Sequence, residues 1–166
     1  MADSSKPKRF WLVKSEEDVY SIDHLEKDGT TPWDGIRNYE ARNTMRDLMK
    51  EGDLVLYYHS NASPPGVAGL ARVASTPYPD PFQFDSESPY FDPKATREEP
   101  RWFLVDMAFV EKFPRLVALA EIREHPDLED MTLLRRMRLS VQPVDPAHFE
   151  AVCAMGRGRG GGAERA

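Results

Sequence analysis

The sequence predicts a small α+β barrel, short strands interrupted by short helices. Three observations carry that expectation. Apolar runs of strand length recur along the chain, at 9–14, 53–60, 67–75 and 102–113. The helical patterns between them are short, and no regular strand–helix alternation marks a parallel βαβ fold. At 166 residues the chain suits one domain that buries about two-thirds of its unfolded surface, enough to fold without disulfides or a structural metal.

The elements follow in order. "RFWLVK" (9–14) is aromatic and β-branched, hence a strand. Ser21 can cap a short helix over 21–29 that Gly29 stops. After a turn at Trp33, Asn38 can cap a longer helix to about Lys50, whose Ala41, Met45, Leu48 and Met49 share one helical face. "DLVLYYHS" (53–60) is apolar on both faces, so a well-buried strand. In "VAGLARVAS" (67–75), Gly69 points to a bend or a close approach of backbones. Within 102–113, Phe103, Val105, Met107, Phe109 and Phe113 fall on the core side, with Trp102, Asp106 and Lys112 opposite. "VALAEIREH" and "DMTLLRRMR" read as short helices, "SVQPV" as a strand, and a final helix starts at Asp145.

Segment 76–101 stands apart, with six prolines and five aromatics in 26 residues. Loops of this length inside a domain are uncommon and tend to be functional or disordered. Disordered segments are poor in aromatics and proline restricts the backbone, so an ordered flap is expected.

Composition narrows the function. The single cysteine, Cys153, excludes an internal disulfide and suits a reducing compartment. Residues 1–8 carry charge but no apolar stretch, and no run approaches a membrane span, so a cytoplasmic location is expected. A net charge of −6 argues against indiscriminate nucleic-acid binding, leaving only local patches and a specific pocket. No nucleophile elbow, phosphate loop or zinc-ligand spacing is present, and the four histidines lie in unrelated elements. The expectation is therefore no catalytic residue, no metal and no cofactor. The glycines of the tail "GRGRGGGAERA" match a dinucleotide fingerprint only by letter, since no βαβ unit surrounds them.

Three features could add up to a base-binding site. Trp33, in a turn between Pro32 and Gly35, and the flap aromatics Tyr78, Tyr90 and Phe91 could stack on a nucleobase. Core packing is the alternative for each. Ser15, Asp34, Asn38, Asn43, His59 and Ser60 could pair with the edge of an unstacked base, or cap and turn the backbone. Arg37, Arg42 and Arg46, with the arginines of "LLRRMR", could contact phosphates or line a solvated helix face.

The blocks "FWLVKSEEDVYSI", "WDGIRNYEARNTM", "GDLVLYYHSN", "PGVAGLARV", "YPDPFQFD", "YFDPK", "PRWFLVDMAFV" and "RLSVQPV" resemble, in order, the EVE domain, the thymocyte nuclear protein family. The resemblance covers 9–155, leaving 1–8 as a flexible N-terminus and 156–166 as a disordered glycine–arginine tail. It implies a PUA-like fold, a small mixed β pseudo-barrel flanked by short helices and related to YTH and SRA domains, and binding of a flipped, modified base of the methylcytosine or methyladenine type. By resemblance to YTH domains, "LVKS" (Leu12 to Ser15) opens the pocket, Trp33 is the first cage residue, and Tyr90 or Phe91 is the second. The expected site comprises Lys14, Ser15, Trp33, Asp34, Asn38, His59, Ser60 and Tyr90 or Phe91 around the base. Arg37, Arg42, Arg136 and Arg138 are expected on phosphates of modified DNA or RNA. Two alternatives remain open: an enzyme acting on a modified nucleoside through His59 and Asp80, and a module whose flap binds a peptide.

Overall fold

Strand β1 (Phe10–Glu16) runs parallel to β3 (Leu54–Ser60), with Leu12 opposite Leu56 and Ser15 opposite His59. This computed structural model describes residues 9–158; the expected N-terminal arm 1–8 and tail residues 159–166 lie outside the described residues. Between the two strands come helix α1 (Ile22–Asp28), the short strand β2 (Thr30–Pro32) and helix α2 (Tyr39–Asn43). After β3 follow β4 (Gly66–Val73), the flap strands β5 (Tyr78–Pro79) and β6 (Phe103–Leu104), and the long β7 (Asp106–Ala118). Helices α3 (Leu119–Glu124) and α4 (Thr132–Arg135), strand β8 (Val141–Val144) and helix α5 (Pro146–Gly156) complete the order. Six strands form one curled half-barrel sheet, β2-β7-β4-β3-β1-β8, with β5 and β6 paired separately. The fold is α+β.

Period-two alternation divides the apolar side chains between two cores. Leu12, Leu56 and Tyr58 enter one cluster with α3 and α5, while Trp11, Val13, Val55 and Tyr57 enter the other with α1, Trp33 and α2. This is why β1 and β3 read as apolar on both faces. Gly69 sits at a register break between β4 and β7, where an added Cβ would collide with the Glu111 carbonyl. The close approach expected there is present.

The caps form where expected. Ser21 Oγ accepts from the His24 N–H at 3.2 Å, Asn38 Oδ1 from Ala41 at 2.9 Å, and Asp145 Oδ1 from Ala147 at 2.9 Å. Other expectations need correction. Beyond α2 the chain makes a π-helical turn, Thr44–Leu48, with the Met49 N–H bonded to the Thr44 carbonyl five residues back. The wider turn keeps Ala41, Met45 and Met49 buried but rotates Leu48 outward to 44% exposure. Val117 and Ala118 extend β7 before α3 begins, and α4 is a single turn. Trp102, expected on an open face, is buried, because the flap folds across it. Helix α5 includes Gly156, and Arg157 pairs with Glu111 at 2.7 Å, so the first residues assigned to the tail belong to the fold.

Between β5 and β6 the flap has one 3-10 turn, Pro81–Phe84, and is otherwise ordered by side-chain hydrogen bonds. Gln83, fully buried, donates to the Asp80 and Trp102 carbonyls, both at 2.8 Å, and accepts from the Arg101 and Trp102 amides, both at 2.9 Å. Asp92 takes the Trp102 indole N–H at 2.8 Å.

Candidate functional site

The turn after β2 decides the site. Gly35 adopts φ +80°, a conformation suited to glycine, and an added Cβ would come within 2.8 Å of the Tyr90 ring. The flap can therefore lay Tyr90 directly on the backbone of this turn. One carboxylate fastens the two segments together. Asp80, 1% exposed, accepts from the Gly35 N–H at 2.9 Å, Arg37 Nη1 at 3.0 Å and the Phe82 N–H at 2.8 Å. Arg37 also donates through Nε and Nη2 to the Tyr90 carbonyl, at 3.2 and 2.8 Å.

A cavity of about 450 Å³ opens beside this junction, within the roughly 300–1,000 Å³ range of small-molecule sites. Lys14 and Ser15 line it from the end of β1, Tyr20 and Thr31 from the side, and Trp33, Asp34, Ile36 and Tyr90 from the turn and flap. Trp33 is 7% exposed and packs edge-on against Tyr57, with centroids 5.6 Å apart. Its indole N–H finds no acceptor among the described residues, yet it is not sealed from solvent. The tryptophan is thus both core and cavity wall.

The Asp34 carboxyl is held above the usual carboxylate range, first by burial and then by the nearby charge of Asp80, with Arg37 pulling the other way. No side chain among the described residues donates to it. Burial lowers the pKa of Lys14, whose ammonium donates to the Met137 carbonyl and lies 5.6 Å from the Tyr58 ring centroid. Tyr57 donates to the Tyr20 carbonyl at 2.7 Å, anchoring the side wall.

The structure thus gathers Lys14, Ser15, Trp33, Asp34 and Tyr90, and it places the other expected residues elsewhere. Ser15 and His59 are direct partners across β1 and β3, yet they line different cavities. His59 is buried and its Nε2 accepts the otherwise orphaned Ile22 N–H of α1 at 3.1 Å; it lines a different cavity, of about 250 Å³. Burial lowers its pKa, against the pull of Glu17. Ser60 ends β3 opposite Glu16, outside the cavity. Asn38 is committed to capping α2, and Phe91 faces away, its turn aiming only Tyr90 inward. Asn43 accepts from Arg42 and Arg46. The His59–Asp80 acid–base pair is not assembled.

The arginines divide. Arg37 braces the flap, Arg42 donates to the Arg101 carbonyl at 2.6 Å, and Arg136 pairs with Glu40 at 2.8 Å. Arg136 and Arg138 line a concavity of about 290 Å³ with Asn38, Arg135 and Met137, the residue whose carbonyl holds Lys14. Sequence reading missed Tyr20, Gly35 and Ile36 of the wall. It took Asp80 for a possible base, whereas it is a clasp. A larger cavity, about 740 Å³, lies beside Trp11, Leu48 and Pro143. Among the described residues no helix is long and apolar enough to cross a membrane.

Comparison with known proteins matches the chain to relatives in sequence and in fold. The EVE domain pattern covers residues 9–155. Human Thymocyte nuclear protein 1 is 37% identical over 164 residues, spanning 87% of this chain and 72% of that protein. A hypothetical protein from Leishmania major superimposes with a TM-score of 0.87 at 46% identity, covering 92% of this chain and 97% of that one. Human THYN1, solved in complex with 5-methylcytosine containing DNA, gives 0.83 at 37% identity, covering 90% and 98%. The YTH domain of Zygosaccharomyces rouxii MRB1, solved with N6-methyladenosine RNA, gives 0.51 at 14% identity, covering 92% and 88%, a likeness of fold alone. From residue 9 to residue 155, in sequence and in fold, this chain belongs to the EVE domain family.

Proposed function

We propose that this EVE domain is a non-enzymatic reader that takes a modified base, unstacked from DNA or RNA, into the Trp33 cavity. One observation carries the reading: the Trp33 N–H and the Asp34 carboxyl have no partner side chain, yet both belong to a cavity walled by aromatic rings. Solvent reaches the indole N–H and the half-buried carboxyl, so both are open to a guest that the aromatic walls can stack upon. Trp33 and Tyr90 form the cage faces, Asp34 accepts from an exocyclic amine, and Lys14 and Ser15 close the rim. An amine-bearing base, methylcytosine or methyladenine, suits that acceptor better than uracil. Arg42 and the Arg136/Arg138 concavity serve the flanking phosphates, while Arg37 holds the flap.

The complex of human THYN1 with 5-methylcytosine containing DNA supports this reading. The open cavity beside Trp33 weighs against a flap that merely packs flat to present a peptide surface. The unassembled His59–Asp80 pair weighs against the enzyme. The relatives' name places them in the nucleus, so the expected cytoplasmic setting gains no support from them.

Fluorescence titration at fixed salt tests the proposal, using oligonucleotides with 5-methylcytosine, cytosine, N6-methyladenine or adenine in DNA and RNA. Modified strands should bind more tightly, and Tyr90→Ala, a change on an exposed ring, should leave only weak, salt-sensitive binding. Equal affinity for modified and plain strands in the parent protein would overturn it. Turnover of a modified nucleoside would replace it with the enzyme reading.

A further inference from the structure

The aromatic surface does not end at the cavity. Tyr90 lies under the Arg37 guanidinium, 5.3 Å from its ring centroid, and the same guanidinium is 5.3 Å from the Trp102 centroid. Trp102 in turn stacks on Tyr39, with centroids 4.8 Å apart and planes 20° from parallel. Trp102 is buried, so it serves as the foundation; Tyr39, at 50% exposure, is the open end of the row.

Arg42 sits 4.8 Å from the Tyr39 centroid and 5.9 Å from that of Trp102. These separations, with the 4.8 Å of the ring pair, close an isosceles triangle with an acute angle at Tyr39. Arg42 is therefore beside the stack and leaves the outer face of Tyr39 free. Arg101 steadies the ring from its edge, donating to the Tyr39 hydroxyl at 3.3 Å. Charge adds a second argument. Arg37 is paired with Asp80 and Arg101 with Asp92, but Arg42 has only neutral acceptors, the Arg101 carbonyl and Asn43 Oδ1. An open π face beside a guanidinium that no carboxylate hydrogen-bonds, in a chain of net charge −6, fits a base followed by its phosphate.

We propose that Tyr39 is a second stacking platform, seating the base adjacent to the one held at Trp33 in the same strand. The inference rests on the base-reading function above and extends it from one base to a short unstacked segment.

The test uses single-stranded DNA carrying 5-methylcytosine, with the neighbour on the 5′ or the 3′ side either intact or abasic. Against the parent protein, removing the stacked neighbour should cost about five- to hundredfold in affinity. Tyr39→Ala should bind the intact strand as weakly as the parent binds the abasic one, with no further loss on the abasic strand. Tyr39→Phe should behave as the parent. Tyr39→Leu, which keeps bulk over Trp102 without a π face, repeats the comparison should the alanine variant unfold. An equal abasic penalty in parent and variant, or none in the parent on either side, overturns the platform. The ratio of methylated to plain binding reports separately on the Trp33 cavity, and Tyr39→Ala should leave it unchanged. Should that ratio be one in the parent, the abasic comparison on plain strands still decides the role of Tyr39.

Discussion

The cavity of about 740 Å³ beside Trp11 and the one of about 450 Å³ beside Trp33 are each lined by a tryptophan less than a tenth exposed. They differ in what the indole does. The Trp11 N–H donates to buried Asp53 at 2.9 Å, and the same carboxylate oxygen accepts the Lys50 N–H at 3.0 Å, completing a structural knot. Trp102 likewise gives its N–H to Asp92. Trp33 alone of the three gives its N–H to no residue described, and beside it lies a carboxyl with its pKa raised. Volume would select the Trp11 cavity; unspent hydrogen-bonding capacity selects the Trp33 cavity. The second criterion is the physically motivated one, because a few polar groups free to hydrogen-bond can orient a guest among apolar walls, which volume alone cannot do.

The largest test of this contrast is Asp80→Ala, which unfastens the turn from the flap on the Trp33 side. It strands the Gly35 and Phe82 amides and the Arg37 guanidinium, and should cost about 2–4 kcal/mol in urea unfolding together with loss of base discrimination. A variant of parental stability that still discriminates would show that the flap is not held by this carboxylate. Next is a matched pair of substitutions. Trp11→Phe leaves Asp53 without its indole donor and should cost about 2–3 kcal/mol, whereas Trp33→Phe breaks no hydrogen bond and should cost about 1 kcal/mol. Equal losses would erase the distinction between the two tryptophans.

Asp34→Asn sharpens it through pH. A carboxyl with its pKa raised on folding binds protons more tightly in the native state, so its ionisation destabilises the fold at neutral pH. That penalty lifts as pH falls through the raised value and is gone below the unfolded value of about 4. The variant should therefore melt slightly above the parent at pH 7, the gain vanishing under acid conditions, while affinity for an amine-bearing modified base drops about tenfold. A variant melting below the parent at pH 7 would contradict the raised pKa. The smallest effect belongs to the idle cavity. Leu48→Lys, on an outward-turned side chain, should change stability by no more than about 0.5 kcal/mol and leave binding unaltered.

Local chemistry was legible in the sequence, and longer-range placement was not. Ser21, Asn38 and Asp145 act as caps because capping depends on neighbours two or three residues away. The role of Trp33 could be suspected from the Pro32 and Gly35 that frame it. Leu48 was misplaced because a π turn leaves no trace in a 3.6-residue pattern. Trp102 was misplaced because the flap before it folds back across it, bringing Asp92 from 10 and Gln83 from 19 positions away. The choice between Tyr90 and Phe91 depended on Gly35, 55 positions distant, and the loss of His59 on its bond from the Ile22 N–H, 37 positions away. Tyr39 carried a faint signal, an aromatic directly after a cap, but its partner Trp102 is 63 positions away in the chain.

A half-barrel that does not close leaves two margins, here β2 and β8, where unpaired amides could recruit a neighbouring molecule into a growing ribbon. Each margin carries a proline, Pro32 on β2 and Pro143 on β8, a residue with no N–H to offer. The open curvature that makes room for a guest is thereby kept from becoming an aggregation seam.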